Sequence, residues 1–510
     1  MDNKALKTGV YFNQNIFNEI YEQPIDVDFT LPDFCPDISK IFKCKANTRI
    51  TSKNVSGKNI TIDGNVCITL MYCDSERRLC SYEYMYPFSK IKEMPVEEEN
   101  CSVTCQAKCD YINCRAVTGR KVDIHGAVSL DVKVFCRKSN EIICDYEGDN
   151  VQLKRMIAPT TIPMGYREKP IIIEDEINIG SAQASILSLL RYDAVPSITE
   201  CKVINDKIIV KGEMAVNLLY CGDSAKLPQV VKTTIPFSQI VEMSGVTEEC
   251  KCDVKSEISS LEIKPIASLG SECRTFVLNA KILLKCESYC VNEIPVIEDA
   301  FSTRYETVIT RNKLCFKKIC ENVKENCHLK KNIEFGENIS SVIDVCCEVG
   351  SKKVRFEKDK MCLSAVFLVG LVICDQEDNV AFYEKPVEFE WSYPLNCDGL
   401  TLCFNPEIEI NGVNYTITGA NCLEFRAELM ICGAIYEKSD IELLTDMIVD
   451  TKKPFKNNKK GGMIVCFKND GGCVWDVAKK YNANIEEIMS INGLDGEDVA
   501  NKKIIMVPIN

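Results

Sequence analysis

Four cysteines, Cys101, Cys105, Cys109 and Cys114, form the densest set of metal-ligating side chains in the sequence. Tetrahedral thiolate zinc takes two close cysteine pairs, most often Cys-x2-Cys, from separate turns. Here the first three cysteines fall at steps of four in a strand-like stretch, on one face and spread along it. A second copy of the same stretch decides between ligand and core. Counted from a shared Pro-Phe-Ser element, Cys101 aligns with Cys250, while Cys105, Cys109 and Cys114 align with Val254, Ile258 and Ile263. The cysteines exchange with aliphatics and read as small core residues, not as a metal site.

Acid–base chemistry has little to build on. The only histidines are His125 and His328, which excludes multi-imidazole zinc sites and leaves histidine-dependent hydrolysis almost without parts. His125 occupies an out-facing place in an alternating strand. With Cys136 and Cys290 setting the register it aligns with Asn279, as an exposed polar residue would. There is no Gly-x4-Gly-Lys phosphate loop, no Gly-x-Gly-x-x-Gly after a strand, and no nucleophile in a motif with a histidine. Glu97-Glu98-Glu99 reads as loop charge. Neither an enzyme nor a cofactor is expected.

The 510 residues suggest three to five domains, and 46% apolar with 26% charged residues is a globular composition. A formal net charge of −13 argues against nucleic acid or an anionic membrane as the main partner. No apolar run approaches the length of a membrane helix; the strongest, Ala365 to Cys374, fits a buried strand. Met1-Asp2-Asn3-Lys4 leads into no apolar signal core, so the chain is expected to stay where it is made, with its 31 cysteines reduced.

Residues 1–25 read as an N-terminal arm holding a short helix, Asn13 to Tyr21. Two Pro-Asp pairs then bracket a turn, Leu31-Pro32-Asp33-Phe34-Cys35-Pro36-Asp37-Ile38. Period-2 runs follow: Ile60, Ile62, Val66, Ile68 and Leu70, and later Val122, Ile124, Val128, Leu130, Val132 and Val134. These predict half-buried antiparallel strands. Gly64, Tyr72-Cys73 and Pro87-Phe88-Ser89-Lys90-Ile91-Lys92-Glu93-Met94 recur as Gly212, Tyr220-Cys221 and Pro236-Phe237-Ser238-Gln239-Ile240-Val241-Glu242-Met243. The offset is 148 residues at the start and 149 at the end, with six identities in the last eight positions. The domain is duplicated. A third, worn copy is expected from about 332 to 437, with Val366 to Cys374 as its central strand and Leu423 to Cys432 as its last alternating run. It lacks the Pro-Phe-Ser element.

In the last 48 residues, Val474, Val477, Ala478 and Tyr481 and then Ile485, Ile488 and Met489 follow helix periodicity, between short strands Ile464–Phe467 and Ile504–Val507. Asn484 and Glu487 are spaced as a capping box, and Asn492-Gly493 closes the second helix. Between repeats and tail, Lys452 to Gly462 reads as a flexible tether with a root-mean-square reach of roughly 18 Å.

The Pro-Asp signature and the Pro-Phe-Ser strand resemble the SPOCS domain of endospore coat assembly proteins. Gly471, Val474-Trp475-Asp476-Val477-Ala478, Tyr481, Ile488, Asn492 and Ile505 to Pro508 resemble a LysM domain. SPOCS repeats followed by one LysM domain is the layout of SipL-type coat morphogenetic proteins. The fold class expected is mainly β: tandem β-sandwich-like SPOCS repeats at 26–150 and 165–300, a degenerate third at 301–448, a Lys/Gly linker at 449–462 and a βααβ LysM domain at 463–510. The LysM resemblance places a shallow groove for protein or N-acetylglucosamine polymer at Gly471, Gly472, Cys473, Val474, Trp475, Ile491, Asn492 and Leu494. The usual Gly-Asp-Thr-Leu of that family reads Gly471-Gly472-Cys473-Val474 here. Cys473 in place of threonine removes an N-cap oxygen worth about 1 kcal/mol.

What the family implies is a non-enzymatic scaffold in the mother-cell cytoplasm, recruited to the forespore surface and spore coat. Its LysM domain would dock the coat ATPase, stage IV sporulation protein A, alongside other coat proteins. The competing reading is a peptidoglycan-binding protein, which the single LysM copy and the altered loop disfavour.

Overall fold

A computed structural model describes residues 4–98, 101–148, 150–223, 225–266, 272–336, 338–377, 379–395, 401–455, 462–467, 473–494 and 504–509. The first block is built from β1 (Lys4–Thr30), β2 (Lys40–Ser56), β3 (Asn59–Cys73), β4 (Leu79–Glu93), β5 (Cys101–Ala116) and β6 (Lys121–Glu147). The second has β7 (Val151–Asn178), β8 (Ile186–Ile204), β9 (Lys207–Gly222), β10 (Gln229–Glu242), β11 (Lys251–Ile266) and β12 (Thr275–Ser302). The third has β13 (Tyr305–Glu334), β14 (Ser341–Glu357), β15 (Lys360–Cys374), β16 (Val380–Pro394), β17 (Thr401–Phe404), β18 (Glu407–Gly419) and β19 (Cys422–Pro454). The tail adds β20 (Gly462–Phe467), α1 (Val474–Tyr481), α2 (Ile485–Asn492) and β21 (Ile504–Ile509). The protein is mainly β, in small antiparallel sheets, with one βααβ segment at its end.

Each block is two facing sheets with a core between them. The first pairs β1-β6-β5 and β2-β3-β4; the second β7-β12-β11 and β8-β9-β10; the third β14-β15-β16 and a sheet in which β13, β17 and β18 all pair with β19. β17 and β18 together stand where β5 and β11 stand in the other blocks. The alternating apolar residues read from the sequence turn inward: Ile60, Ile62, Val66, Ile68 and Leu70 meet Val122, Ile124, Val128, Leu130 and Val132 across the first sandwich. Burying such a side chain contributes about 1.5–3 kcal/mol, which is why one face of each strand fixes its register. Register breaks also recur. A bulge falls between Cys109 and Tyr111 on β5, between Ile258 and Ser260 on β11, and between Ile410 and Gly412 on β18.

The segment Asn13–Tyr21, expected as a helix, is strand: it lies inside β1, paired along its length with β6. Val10, Phe17 and Ile25 are buried in that strand, and ladder pairing outweighs the weak helical spacing of the stretch. The tether also begins later than expected. β19 runs to Pro454, and the Phe455 amide donates to Arg304 O at 2.8 Å. Most of the remaining tether, 456–461, lies outside the described residues.

The three blocks close into a ring. β4 packs on β8, β10 on β14, and β16 on β2, while β6, β12 and β19 each touch the other two. The antiparallel pairs β1/β6, β7/β12 and β13/β19 extend past their sandwiches and meet as a stem. Ile142, Val296 and Leu443 share one apolar cluster there, and their neighbours Ile143, Ile297 and Leu444 share the next. An ion network joins all three blocks: Lys45 with Asp193 (3.0 Å) and Glu348 (2.5 Å), and Arg191 with Asp193 (3.0 Å) and Asp344 (2.5 Å). The Arg191 and Asp344 side chains are only 9% and 2% exposed, so breaking this pair costs more than breaking a surface one.

Candidate functional site: the C-terminal unit and its seat

The last unit is small, and its two strands hold it together. β20 and β21 pair antiparallel, with Ile464 opposite Val507 and Val465 opposite Met506. Val474, Trp475, Ala478, Ile488, Ile505 and Val507 form its core. Helix α1 begins at Cys473, whose thiol is a poor substitute for an N-cap oxygen; the Asp476 carboxylate instead reaches back to accept the Cys473 backbone N–H at 3.3 Å. Helix α2 has the Asn484 N-cap and the Gly493 close that its sequence requires. The Asn484 side chain accepts from the amides of Glu486 (2.8 Å) and Glu487 (3.3 Å), and Gly493 closes the helix at φ 58°.

Of the eight groove residues expected from the LysM resemblance, Gly471 and Gly472 lie outside the described residues. Val474 and Trp475 are buried, at 0% and 2% exposure. Asn492 is a structural tie. Its amide nitrogen donates to Ile488 O (2.8 Å) and Met506 O (2.7 Å), and its oxygen accepts the Met506 N–H (2.8 Å), pinning α2 to β21. Cys473 and Leu494 are half-buried against the core, and Ile491 is exposed.

Trp475 is buried because the unit is seated on the stem. Its indole N–H donates to Asp299 Oδ2 at 2.9 Å, and its ring meets Phe301 edge-on at a centroid distance of 5.2 Å. Lys479 donates to both Asp299 oxygens (2.8 and 2.6 Å), and Arg311 pairs with the same carboxylate. Burial works against charge on Asp299, but the Lys479 and Trp475 hydrogen bonds prevail and hold its carboxyl below the usual range. Gln152 Oε1 accepts the Ile485 amide at 3.3 Å, so β7, β12 and β13 all contribute to the seat. The tethered unit expected to move freely is docked. Phe301, which sequence reading passed over, belongs to its core.

Facing away from the seat, the β20/β21 ribbon and α2 leave Met463 (55%), Val465 (52%), Ile504 (48%), Ile491 (39%) and Met506 (37%) exposed.

The duplicated signature residues serve the sandwiches. Tyr72 and Tyr220 are fully buried, and each donates its hydroxyl to the loop before the next sheet, at Pro36 O (3.1 Å) and Ala184 O (3.0 Å). Two arginines that sequence reading missed clamp the same loops. Arg120 donates to Asp37 (2.7 Å) and Pro32 O (2.7 Å), and Arg274 to Gly180 O (2.6 Å) and Gln183 O (2.9 Å). The signal was available: the two arginines sit 154 residues apart, as His125 and Asn279 do. His125 is exposed and lies 3.2 Å from both Asp26 and Asp123.

The aligned cysteines depart from expectation. Cys101 bridges to Cys136 across β5/β6, and Cys250 to Cys290 at the end of β11/β12, with Cα separations of 4.5 and 4.7 Å. Cys101 and Cys136 stand directly opposite on neighbouring strands, and Cys250 lies one residue before Lys251, whose ladder partner Tyr289 precedes Cys290, so each pair is within disulfide reach. Cys105 is buried, and Cys109 and Cys114 are half-buried, as are Val254 and Ile258 in the second block.

Residues 37–117 and 185–266 each match the family described as SipL, SPOCS domain. The matched segments span β2 to β5 and β8 to β11; the long stem strands and the C-terminal unit lie outside them. No curated protein and no solved structure matches the chain.

Proposed function

We propose that the chain is a non-enzymatic scaffold of endospore coat assembly, and that its C-terminal unit is a LysM domain used for protein docking. The observation that carries the reading is the pair of SPOCS matches at equivalent places in two sandwiches, since that family points to the spore coat. The third sandwich, with its own two-sheet topology, stands as a further repeat of the same kind at 301–448. The docking partner is the coat ATPase, stage IV sporulation protein A, met on the forespore surface from the mother-cell side.

Burial of Val474 and Trp475 favours protein over glycan, because a sugar groove at the start of α1 needs those side chains open. The unit offers a partner its far side, where Ile491 and Met506 are exposed.

Pull-down with the full chain and with a chain ending at residue 462 tests this. The full chain captures the ATPase and the shortened one does not. Retention of the full chain on purified peptidoglycan, without capture of the ATPase, overturns the reading.

A further inference from the structure

The three blocks line a solvent-open chamber of about 510 Å³, with Val10 and Phe316 of the first stem cluster in its wall. That volume falls within the ordinary range for small-molecule sites. Two ladder positions facing it carry like charges in direct opposition. Asp253 on β11 stands opposite Glu287 on β12, and Lys317 on β13 stands opposite Lys438 on β19. Such pairs destabilise a sheet.

The usual remedy is an ion pair with a neighbour, and other chamber charges have one. Lys133 pairs with Asp131 (2.8 Å), Lys255 with Glu407 (2.5 Å), and Lys285 with Glu257. Among the described residues, Asp253, Glu287, Lys317 and Lys438 have neither an ion pair nor a side-chain hydrogen bond. Lys255 is near enough for its charge to act on both Asp253 and Glu287, and Lys317 on Glu287, yet neither lysine touches them. A gap lined by two carboxylates that no cation contacts on one wall and two ammonium groups that no anion contacts on the next is complementary to a molecule carrying both charges. Tyr289 and Tyr436 flank it, and the phenol of Tyr436 feels both carboxylates.

We propose that the chamber binds a small zwitterion of the amino-acid class. Its ammonium lies between Asp253 and Glu287, its carboxylate between Lys317 and Lys438, and its side chain against the rings of Tyr289 and Tyr436. Glu287 is half-buried and Asp253 exposed; desolvation by the surrounding protein pushes both carboxyls up, and Asp253 pushes Glu287 further, which a bound ammonium reverses. The first block cannot duplicate the acidic wall, because its ladder places Thr104 opposite Lys133. The chamber is therefore one asymmetric site, and it does not depend on the scaffold reading.

Isothermal titration of the full-length protein with each of the twenty amino acids tests the proposal. The tightest binder is then compared with its N-acetyl and C-amide forms. Aromatic amino acids are expected to bind best, and loss of either terminal charge to weaken binding about tenfold or more, as removal of a charge-assisted hydrogen bond does. Glu287→Gln and Lys438→Met each weaken binding by a similar factor while melting at or above the parent temperature, since each relieves a repulsion. Absence of binding by all twenty overturns the proposal, as does equal binding of the blocked forms. If either variant fails to fold, the blocked forms on the parent protein decide.

Discussion

Phe88 lies across the strand from Gly64, its ring covering the place where a side chain would stand. A methyl group at Gly64 would come within 2.8 Å of both Phe88 Cε1 and Arg49 O. Phe237 covers Gly212 in the same manner in the second block. The recurring glycine and the recurring Pro-Phe-Ser are thus one device, an aromatic ring laid over a glycine on the next strand. In the third block the corresponding ladder pair is Ala365 and Phe389.

Gly64→Ala and Gly212→Ala are therefore expected to destabilise their blocks by about 1–3 kcal/mol, the usual cost of overpacking against backbone. Ala365→Gly removes a methyl that already fits and costs about 1 kcal/mol or less. Urea unfolding followed by circular dichroism measures all three. Equal effects at the three positions would refute the ring-over-glycine account.

The seat of the C-terminal unit predicts a spectroscopic change. The chain has two tryptophans, so Trp391→Phe leaves Trp475 as the sole reporter. In that background Asp299→Asn, which leaves Lys479 and Arg311 without their shared carboxylate, is expected to red-shift Trp475 emission as the indole meets water. The pH dependence follows from the depressed carboxyl of Asp299. A carboxyl whose folded pKa lies below its unfolded one stabilises fully above the unfolded value and loses that contribution as pH falls through the folded value. The buried emission of the parent thus holds at neutral pH and shifts only in acid below the normal carboxylate range. A shift at pH 6 would contradict it.

The two cysteine bridges predict a redox-dependent melt. They close chain segments with sequence separations of 35 and 40 residues. Loop-closure entropy assigns each on the order of 3–4 kcal/mol. Reduction is expected to lower the melting temperature of the parent, and much less that of the Cys136→Ser, Cys290→Ser double variant. Under denaturing, non-reducing conditions, alkylation should leave Cys101, Cys136, Cys250 and Cys290 unlabelled.

The duplication was legible because Gly64, Tyr72 and Phe88 do specific work: one admits a ring, one ties a loop, one supplies the ring. Their spacing survives with them. The third sandwich was faint because it solves the same packing with Ala365, Ile373 and Phe389, which carry no motif yet share one core. Helix α2 could be read from Asn484 and Gly493, whose roles are local. The segment 13–21 could not, because only its partner strand, distant in sequence with Asn13 opposite Arg137 and Tyr21 opposite Leu130, makes it extended. The seat was invisible for the same reason. Asp299 and Trp475 are 176 residues apart, and nothing near either marks the other.

Three sandwiches drawn from one chain differ from a trimer of identical subunits in one respect that matters for assembly. A true trimer would offer the same attachment point three times over and spread growth evenly. In this ring only the sector holding Gln152, Asp299, Phe301 and Arg311 carries the terminal unit. The molecule therefore has a front and a back, and copies laid on a surface by that one marked spoke would all point the same way.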